Sequence, residues 1–482
     1  MLKKLSKESF FYALMRISFT CNQRYNFLYF RWFLKQKELG DIMEQITSIK
    51  IAEILNYESN IKYAEINGVS TDSRKCSPRD VFIAVKGENF DGHNFVSDVI
   101  NKGCPLVIVD HLIEQVPADK QIVVTDTLDA YGKIGAYNRS LFKGKVIGLT
   151  GSSGKTTTKE EIKFLLSKFG KTYATVGNHN NFVGVPESLC NMDMDADFAV
   201  IEMGMSAQGE ISRLTSYVKP DIAIVTNVYP MHIEFFNEFK DIAYAKAEIF
   251  EGLAPKGIAI INEDANFYEV LEEIAKKYTD NIFKFGKNCN CDAVFETATP
   301  GEHHISNALC ALKVIEVLGL DVKKAAKYVK DFKALEGRGK QYKLTLENGD
   351  TFTLIDDSYS GQPEAMKLAI KSLSDTQTTH RKIAVLGKMA ELGALSQEKH
   401  IEIGNIVEQS DIDIVVGVCP EMKDMLDCVS DDKEKYYFEN KEPLVDFLLN
   451  KLLQKNDIIL IKGARYSSKL YQVVQELIKK GS

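Results

Sequence analysis

The sequence has no basic surplus: 60 Lys and Arg stand against 67 Asp and Glu, giving a net charge of -7. A protein that follows a nucleic-acid backbone needs the opposite balance, so that class of partner is argued against. No apolar run reaches the roughly 18 residues of a membrane span, and no signal-peptide cleavage site follows the N-terminal region. The nine cysteines are odd in number and follow no spacing framework, which points to reduced thiols and a cytoplasmic setting. Cys289 and Cys291 form a CxC without a second pair, which reads as a loop rather than a zinc site. No internal repeat or low-complexity tract is visible. No NKxD guanine-reading motif occurs, which disfavours a GTPase.

What is present is the composition of an ordinary globular protein, 45% hydrophobic and 26% charged. A chain of 482 residues exceeds one core and divides into about three domains. Residues 1–42 stand apart as a basic, aromatic-rich extension containing NFLYFRWFLK. They read either as a segment resting on a membrane surface or on the body of the protein, or as a stretch upstream of a start at Met43. Residues 43–144 alternate short strands (Val81 to Val85, Leu106 to Val109, Ile122 to Val124) with helical stretches and end in Phe142-Lys143-Gly144. Residues 145–334 repeat strand–helix units (Ala199 to Met203, Ile222 to Asn227, Ile258 to Asn262). Residues 335–482 do so again in a Rossmann-like pattern (Phe352 to Asp356, Ile383 to Gly387, Ile414 to Gly417, Ile458 to Lys462). The expected fold class is therefore α/β, with mostly parallel sheets covered by helices.

The most informative stretch is IGLTGSSGKTTTKE at 147–160. Val146 to Leu149 read as a buried strand. Gly151, Ser152, Ser153 and Gly154 form a loop of small residues, and Lys155, Thr156 and Thr157 open a helix. Strand, glycine loop, lysine and helix make up the layout that wraps nucleotide phosphates. Backbone N–H groups face the anion, the lysine reaches the terminal phosphates, and a Thr hydroxyl takes Mg²⁺. Leu149 occupies the position of the first glycine in the strict GxxxxGK[ST] pattern.

Polar residues at the carboxyl ends of strands carry weight in open α/β sheets, because ligands sit in the crevice there. Glu202 closes AVIEMG and Asn227 closes IAIVTN. His232 follows in NVYPMHIE, and Lys246 lies on a helix about ten residues on. A lone buried Glu is usually structural and a lone loop His usually inert. Beside a phosphate loop, however, a hydroxyl, a carboxylate and an imidazole suit Mg²⁺ ions that bridge phosphates and a nucleophile.

A run of segments then resembles the Mur ligases, ATP-dependent amide-forming enzymes of peptidoglycan precursor synthesis. In order they are STDSRKCSPRDVFIAVKGENFDGHNF, GLTGSSGKTTTKE, GNHNNFVGVPESL, AVIEMGMSAQGEI, AKAEIF, PGEHHISNAL, GRGKQYKL, IDDSYSGQPEAM, IAVLGKMAELG and LIKGARYSS. The family's own loop, TGSxGKT[ST], also accounts for Leu149. The resemblance implies a three-domain architecture, with a UDP-sugar-binding domain, a central ATP-binding domain and a Rossmann-like acceptor-binding domain. It implies ATP and Mg²⁺ as cofactors, small-molecule substrates (a nucleotide-sugar peptide and an amine or dipeptide acceptor), and a monomer. By the same resemblance Lys155 contacts the β- and γ-phosphates, and Thr156 with Glu202 holds one Mg²⁺. His232 binds a second, supported by Lys246 as a carbamate. Asn307, Arg338 and Asp357 hold the nucleotide. Ser73, Arg74, Lys86 and Gly87 cradle the UDP-sugar, while Asn178, Asn180 and Asn181 face its peptide end. Ser360, Gln362, Lys388 and Arg465 belong to the acceptor side.

Departures concentrate on that acceptor side. The family's DSYNANP reads Asp357-Ser358-Tyr359-Ser360-Gly361-Gln362-Pro363 here, and Lys388 replaces the acidic residue of LGDMxELG. A short loop between Phe285 and Pro300 stands where the family inserts a strand-rich segment of about thirty residues, more than ordinary loop variation. Two functions fit: joining D-Ala-D-Ala to a UDP-MurNAc-tripeptide, or joining another amine and carboxylate in surface-glycan or peptide-metabolite assembly. A non-catalytic nucleotide-binding protein is disfavoured by the retention of Lys155, Thr156, Glu202, His232 and Lys246.

Overall fold

Parallel strands are stable only when both faces are covered, so their sequences read as continuous apolar runs. The runs Val146 to Leu149, Ala199 to Met203 and Ile222 to Val225 have that character, and their residues are fully buried. The computed structural model describes residues 46–481 apart from 88–89, 290, 292 and 299–300. The N-terminal extension and its expected membrane-surface contact lie outside the described residues.

The chain forms two compact units. One contains the residues up to Ala130 with Ser140–Lys143 and Cys190–Asp195; the other contains Tyr131–Arg139, Gly144–Leu189 and everything from Ala196. The helix Thr127–Leu141 has residues in both units and ends ahead of the boundary expected at 144. Its Gly132 lies so close to the ring of Tyr217 that a Cβ would come within 2.3 Å of it. Arg139 donates to the carbonyls of Val218 and Lys219 and pairs with Asp221.

The first unit holds a four-stranded parallel sheet in chain order: Gly68–Ser70, Asp80–Ile83, Leu106–Val109 and Gln121–Val123. The second unit holds two six-stranded sheets. The middle one is wholly parallel, in the order Thr172–Ala174, Phe198–Glu202, Lys145–Thr150, Ile222–Val225, Ile258–Asn262, Ile282–Phe285. Its first strand in sequence thus lies between the third and fourth. That reversal of winding direction opens a crevice at the strand ends. Register pairs Glu202 with Leu149 and Val225 with Thr150, so the phosphate loop, Glu202 and Thr226 emerge at one edge.

The C-terminal sheet runs Lys340–Thr345, Thr351–Asp357, Ile458–Lys462, Lys382–Gly387, Ile414–Val418, Glu434–Phe438. Only the first pair is antiparallel. Here Asp357 and Lys462 are register partners at the strand ends. The α/β fold class matches the sequence reading, and every interior strand coincides with an expected apolar run. The strands Gly68–Ser70, Thr172–Ala174, Ile282–Phe285, Lys340–Thr345 and Glu434–Phe438 were not expected, and all five are sheet edges.

Candidate active site

The phosphate loop is shaped by its backbone. Gly151 has φ +155°, and a Cβ there would fall 1.9 Å from Thr226 Oγ1. Gly154, at φ +75°, is the N-cap of the helix Lys155–Leu166, so neither position accepts a side chain without strain. That helix buries Ile162, Leu165 and Leu166 against the middle sheet, which fixes its N-terminus at the crevice. The neighbouring strand end braces the loop. Asn227 Oδ1 accepts from Ser153 N–H at 2.8 Å, and Asn227 Nδ2 and Thr226 Oγ1 both donate to the Ser153 carbonyl. Ser152 Oγ donates to the Tyr229 carbonyl and accepts from Tyr229 N–H, which ties the loop to the segment leading to His232.

Two adjoining cavities flank this loop. One, of about 350 Å³, brings together Lys155, Thr156, Asn178, Asn180, Asn181, Glu202, His232, Arg338 and Ser360. The other, of about 250 Å³, is lined by Thr157, Asn307, Arg338 and Asp357 among others. Ser153, Gly154, Arg338 and Ser360 line both, so a phosphate chain laid along the loop would pass from one to the other.

Within the larger cavity Thr156 Oγ1 donates to Glu202 Oε1 at 3.1 Å, and Arg338 Nη2 donates to Thr156 Oγ1 at 3.1 Å. Asn180 Nδ2 donates to the same Glu202 oxygen at 2.8 Å. Glu202 Oε2 is buried with no hydrogen-bond partner, and the nearest cation, Lys159 Nζ, is 3.8 Å away. A buried carboxylate oxygen left open next to a hydroxyl is a hard-oxygen donor pair of the kind Mg²⁺ takes. Lys155 Nζ turns back to the Gly151 carbonyl at 2.7 Å. Burial pulls its pKa below the usual lysine range, and Arg338 adds to this while Glu202 opposes it.

Lys246 sits near the end of the helix Phe239–Ala247, in which Ile242, Ala243, Ala245 and Ala247 are also buried. It is 2% exposed, and burial, reinforced by the Lys155 ammonium, holds its amine well below the usual range. His232 adopts φ +58° and places Nδ1 2.7 Å from Glu391 Oε2, off the axis needed for a full hydrogen bond.

On the nucleotide side, Asn307 Oδ1 accepts from Thr158 Oγ1, which pins the helix Glu302–Val317 to the phosphate-loop helix. Asp357 accepts from Lys462 Nζ at 2.7 Å, and the same ammonium donates to the Ser360 carbonyl. Arg338 and Arg465 flank the Tyr359 ring, 4.1 and 5.3 Å from its centroid. Gln362 Oε1 is buried without a partner beside Ser152, Tyr229 and Met231. Lys388 lines neither large cavity; its ammonium pairs with Glu421 at 2.5 Å.

The first unit places Ser73, Arg74, Lys86 and Gly87 around exposed turns. Asp72 grips the Arg74 guanidinium through two 2.8 Å contacts, and that pairing pulls the Asp72 pKa down to about 2. Lys102 Nζ donates to the Ser73 carbonyl. Lys86–Gly87 pairs with Phe90–Asp91 in a short antiparallel ladder.

Residues that sequence reasoning missed are the buried supports. Lys159 is fully buried and donates to the carbonyls of Thr175 and Gly177, holding the segment that carries Asn178, Asn180 and Asn181. Lys462 and Asp356 do the same for the third-domain loop, where Asp356 accepts from Gly337 N–H and from Ser358. Lys159 carried a signal, being a lysine one helical turn after Lys155 on the same helix. Asp356 carried none beyond its place at a strand end.

Residues 65–136 match the model of the Mur ligase family catalytic domain, 149–296 the Mur ligase middle domain, and 343–465 the Mur ligase glutamate ligase domain. The UDP-N-acetylmuramoyl-tripeptide--D-alanyl-D-alanine ligase of Rickettsia prowazekii is 34% identical over 83% of this chain and 92% of its own length. The crystal structure of MurF from Acinetobacter baumannii superposes with a TM-score of 0.80 at 29% identity, covering 91% of this chain and all of that one. MurF from Thermotoga maritima, solved in complex with ADP, gives 0.75 at 27% identity over 86% of this chain and 97% of that one. With three Mur ligase domain models matched along it and likeness over most of its length to these ligases, the chain belongs to the Mur ligase family.

Proposed function

We propose that this protein is an ADP-forming ligase that joins D-alanyl-D-alanine to UDP-N-acetylmuramoyl-tripeptide in peptidoglycan precursor synthesis, acting in the cytoplasm. The observation that carries this reading is the near full-length likeness to ligases of that name, joined to a cleft in which Lys155, Thr156, Glu202 and Arg338 converge. The tripeptide carboxylate attacks the γ-phosphorus of ATP, the bond to the β-phosphate oxygen breaks, and ADP leaves. The dipeptide amine then attacks the acyl phosphate carbon, and phosphate departs as the amide forms and the amine loses its proton.

The residues suit these steps. Lys155 and the amides at the start of the helix Lys155–Leu166 bind the β- and γ-phosphates, where preorganised positive charge stabilises the transferring group. Arg338, held over Tyr359, spans the two cavities and orients the polyphosphate. Asn307 and Asp357 line the nucleotide end. Thr156 and Glu202 would hold one Mg²⁺, for which Glu202 Oε2 stands open, and His232 would hold a second. When bound, these ions neutralise charge on the phosphates and the attacking carboxylate. Lys246, a buried amine in a site that favours its neutral form, is suited to carry CO₂ as a carbamate, turning a cation into an anionic support. Asn178, Asn180 and Asn181 would meet the peptide end of the sugar nucleotide, and Ser360 and Gln362 the incoming dipeptide.

Phosphate release by the purified protein with ATP, UDP-MurNAc-tripeptide and D-Ala-D-Ala, set against a panel of other amines, tests the assignment. Release is expected only when all three substrates are present. A preference of tenfold or more for another amine would overturn the peptidoglycan reading and leave the ligase chemistry standing.

A further inference from the structure

His232 and Glu391 sit on loops that follow strands of different sheets of the second unit, and both occupy a backbone conformation that side-chain-bearing residues seldom adopt, with φ +58° and +59°. Such positions are strained and persist where their surroundings enforce them. The surroundings here are specific. His400, fully buried, accepts from Met389 N–H through Nε2 and contacts the Ser396 carbonyl through Nδ1 at 2.7 Å, which staples the loop between them. Met389 and Leu392 anchor that loop in the core. Gly393, at φ +51°, brings its backbone against Glu234, so that a Cβ would lie 3.3 Å from Glu234 Cβ. On the other side, Ser152 of the phosphate loop clamps Tyr229 three residues before His232. Two independently braced loops therefore meet at one side-chain contact.

We propose that Glu391 is a positioning residue for His232. Its carboxylate, 2.7 Å from Nδ1 although not aligned for a full hydrogen bond, faces that nitrogen, favours the tautomer with the proton on Nδ1 and leaves Nε2 as the lone-pair donor for the metal cleft. A metal-ligating imidazole held by a carboxylate through its other nitrogen is oriented and made more basic, and losing that partner typically costs about 10–100-fold in metal affinity or activity. Because Glu391 follows a strand of the C-terminal sheet and His232 one of the middle sheet, the contact also makes a competent metal site depend on the docking of the C-terminal domain. The inference rests on the reading of His232 as a metal ligand.

The test is Mn²⁺ binding to the full-length protein with a non-hydrolysable ATP analogue, followed by electron paramagnetic resonance, with neither amine nor sugar nucleotide present. Glu391→Ala should weaken one Mn²⁺ at least tenfold and leave metal-free nucleotide affinity unchanged. Glu391→Gln, which keeps the size and one acceptor oxygen, should lose less and report on the role if the alanine variant is unstable. In turnover, Glu391→Ala should lower kcat at limiting Mg²⁺ and recover with excess Mg²⁺, with the KM for the acceptor unchanged. Wild-type Mn²⁺ affinity in Glu391→Ala would overturn the proposal, and tighter binding would overturn it by showing that Glu391 competes with the metal. Glu202→Gln is the control: if it too binds Mn²⁺ like wild type, the metal reading of the cleft itself fails.

Discussion

The phosphate-loop cleft and the acceptor-side loop of the third domain are built on opposite plans. Around Gly151–Thr157 most polar atoms have a named partner, while Glu202 Oε2 and Thr150 Oγ1 are buried without one. Around Ser360–Gln362 the backbone is gripped from below by Lys462, while Gln362 Oε1 stays unpaired and Lys388 is taken up by Glu421. The first region is tied together by its own hydrogen bonds across the loop and the neighbouring strand end. The second has a braced backbone whose side chains make fewer contacts of their own. On the proposed reading, reaction type belongs to the first region and acceptor choice to the second.

The comparison breaks first, and most severely, at Lys155. Lys155→Ala should reduce phosphate release by about 10³-fold, as loss of a preorganised charge-stabilising donor does. Circular dichroism and melting temperature should stay near wild type, since its ammonium contacts only loop carbonyls. Near-normal turnover would show that the loop does not do the chemistry.

Lys246 sharpens the same side. Lys246→Ala should lose roughly 10²-fold in turnover, the upper part of the range for lost metal support. A short carboxylate at high concentration should restore part of it, whereas Lys246→Arg stays inactive. Full activity of the alanine variant without additive would rule out the carbamate.

The acceptor side gives the smallest expected effect. The added positive charge at Lys388 invites pairing with an acceptor carboxylate, but Glu421 already holds it. Lys388→Met should therefore change the KM for D-Ala-D-Ala by less than about threefold and stability by no more than about 1 kcal/mol, as for exposed ion pairs. A tenfold rise in that KM would place Lys388 on the substrate after all.

Legibility followed burial. Ile258–Asn262 and Ile458–Lys462 could be read to the residue because both faces are covered and every position but the last is apolar. Lys340–Thr345 and Glu434–Phe438 could not, because an edge strand exposes one side and its sequence carries Lys, Gln, Glu and Tyr. The site divides along a similar line. Lys155, Thr156 and Glu202 stood out because phosphate and metal chemistry demand those residue types at strand ends. Lys159 and Asp356 did not, because they act on backbone carbonyls and N–H groups, and many residue types at many positions could do that.

By itself the sequence determined the buried interior strands, the α/β class, the glycine loop with its lysine, and the family to which the chain belongs. Local chemistry is enough for these: apolar runs must be buried, and a helix opened by glycines and a lysine attracts anions. Only the tertiary structure decided which strand lies beside which, and so brought Glu202, Thr226 and Gly151 to one edge. It alone joined His232 to Glu391 across 159 residues of sequence, and spent Lys388 on Glu421. Such pairings depend on sheet order and on loops held in left-handed turns, which long-range packing sets and no short motif encodes.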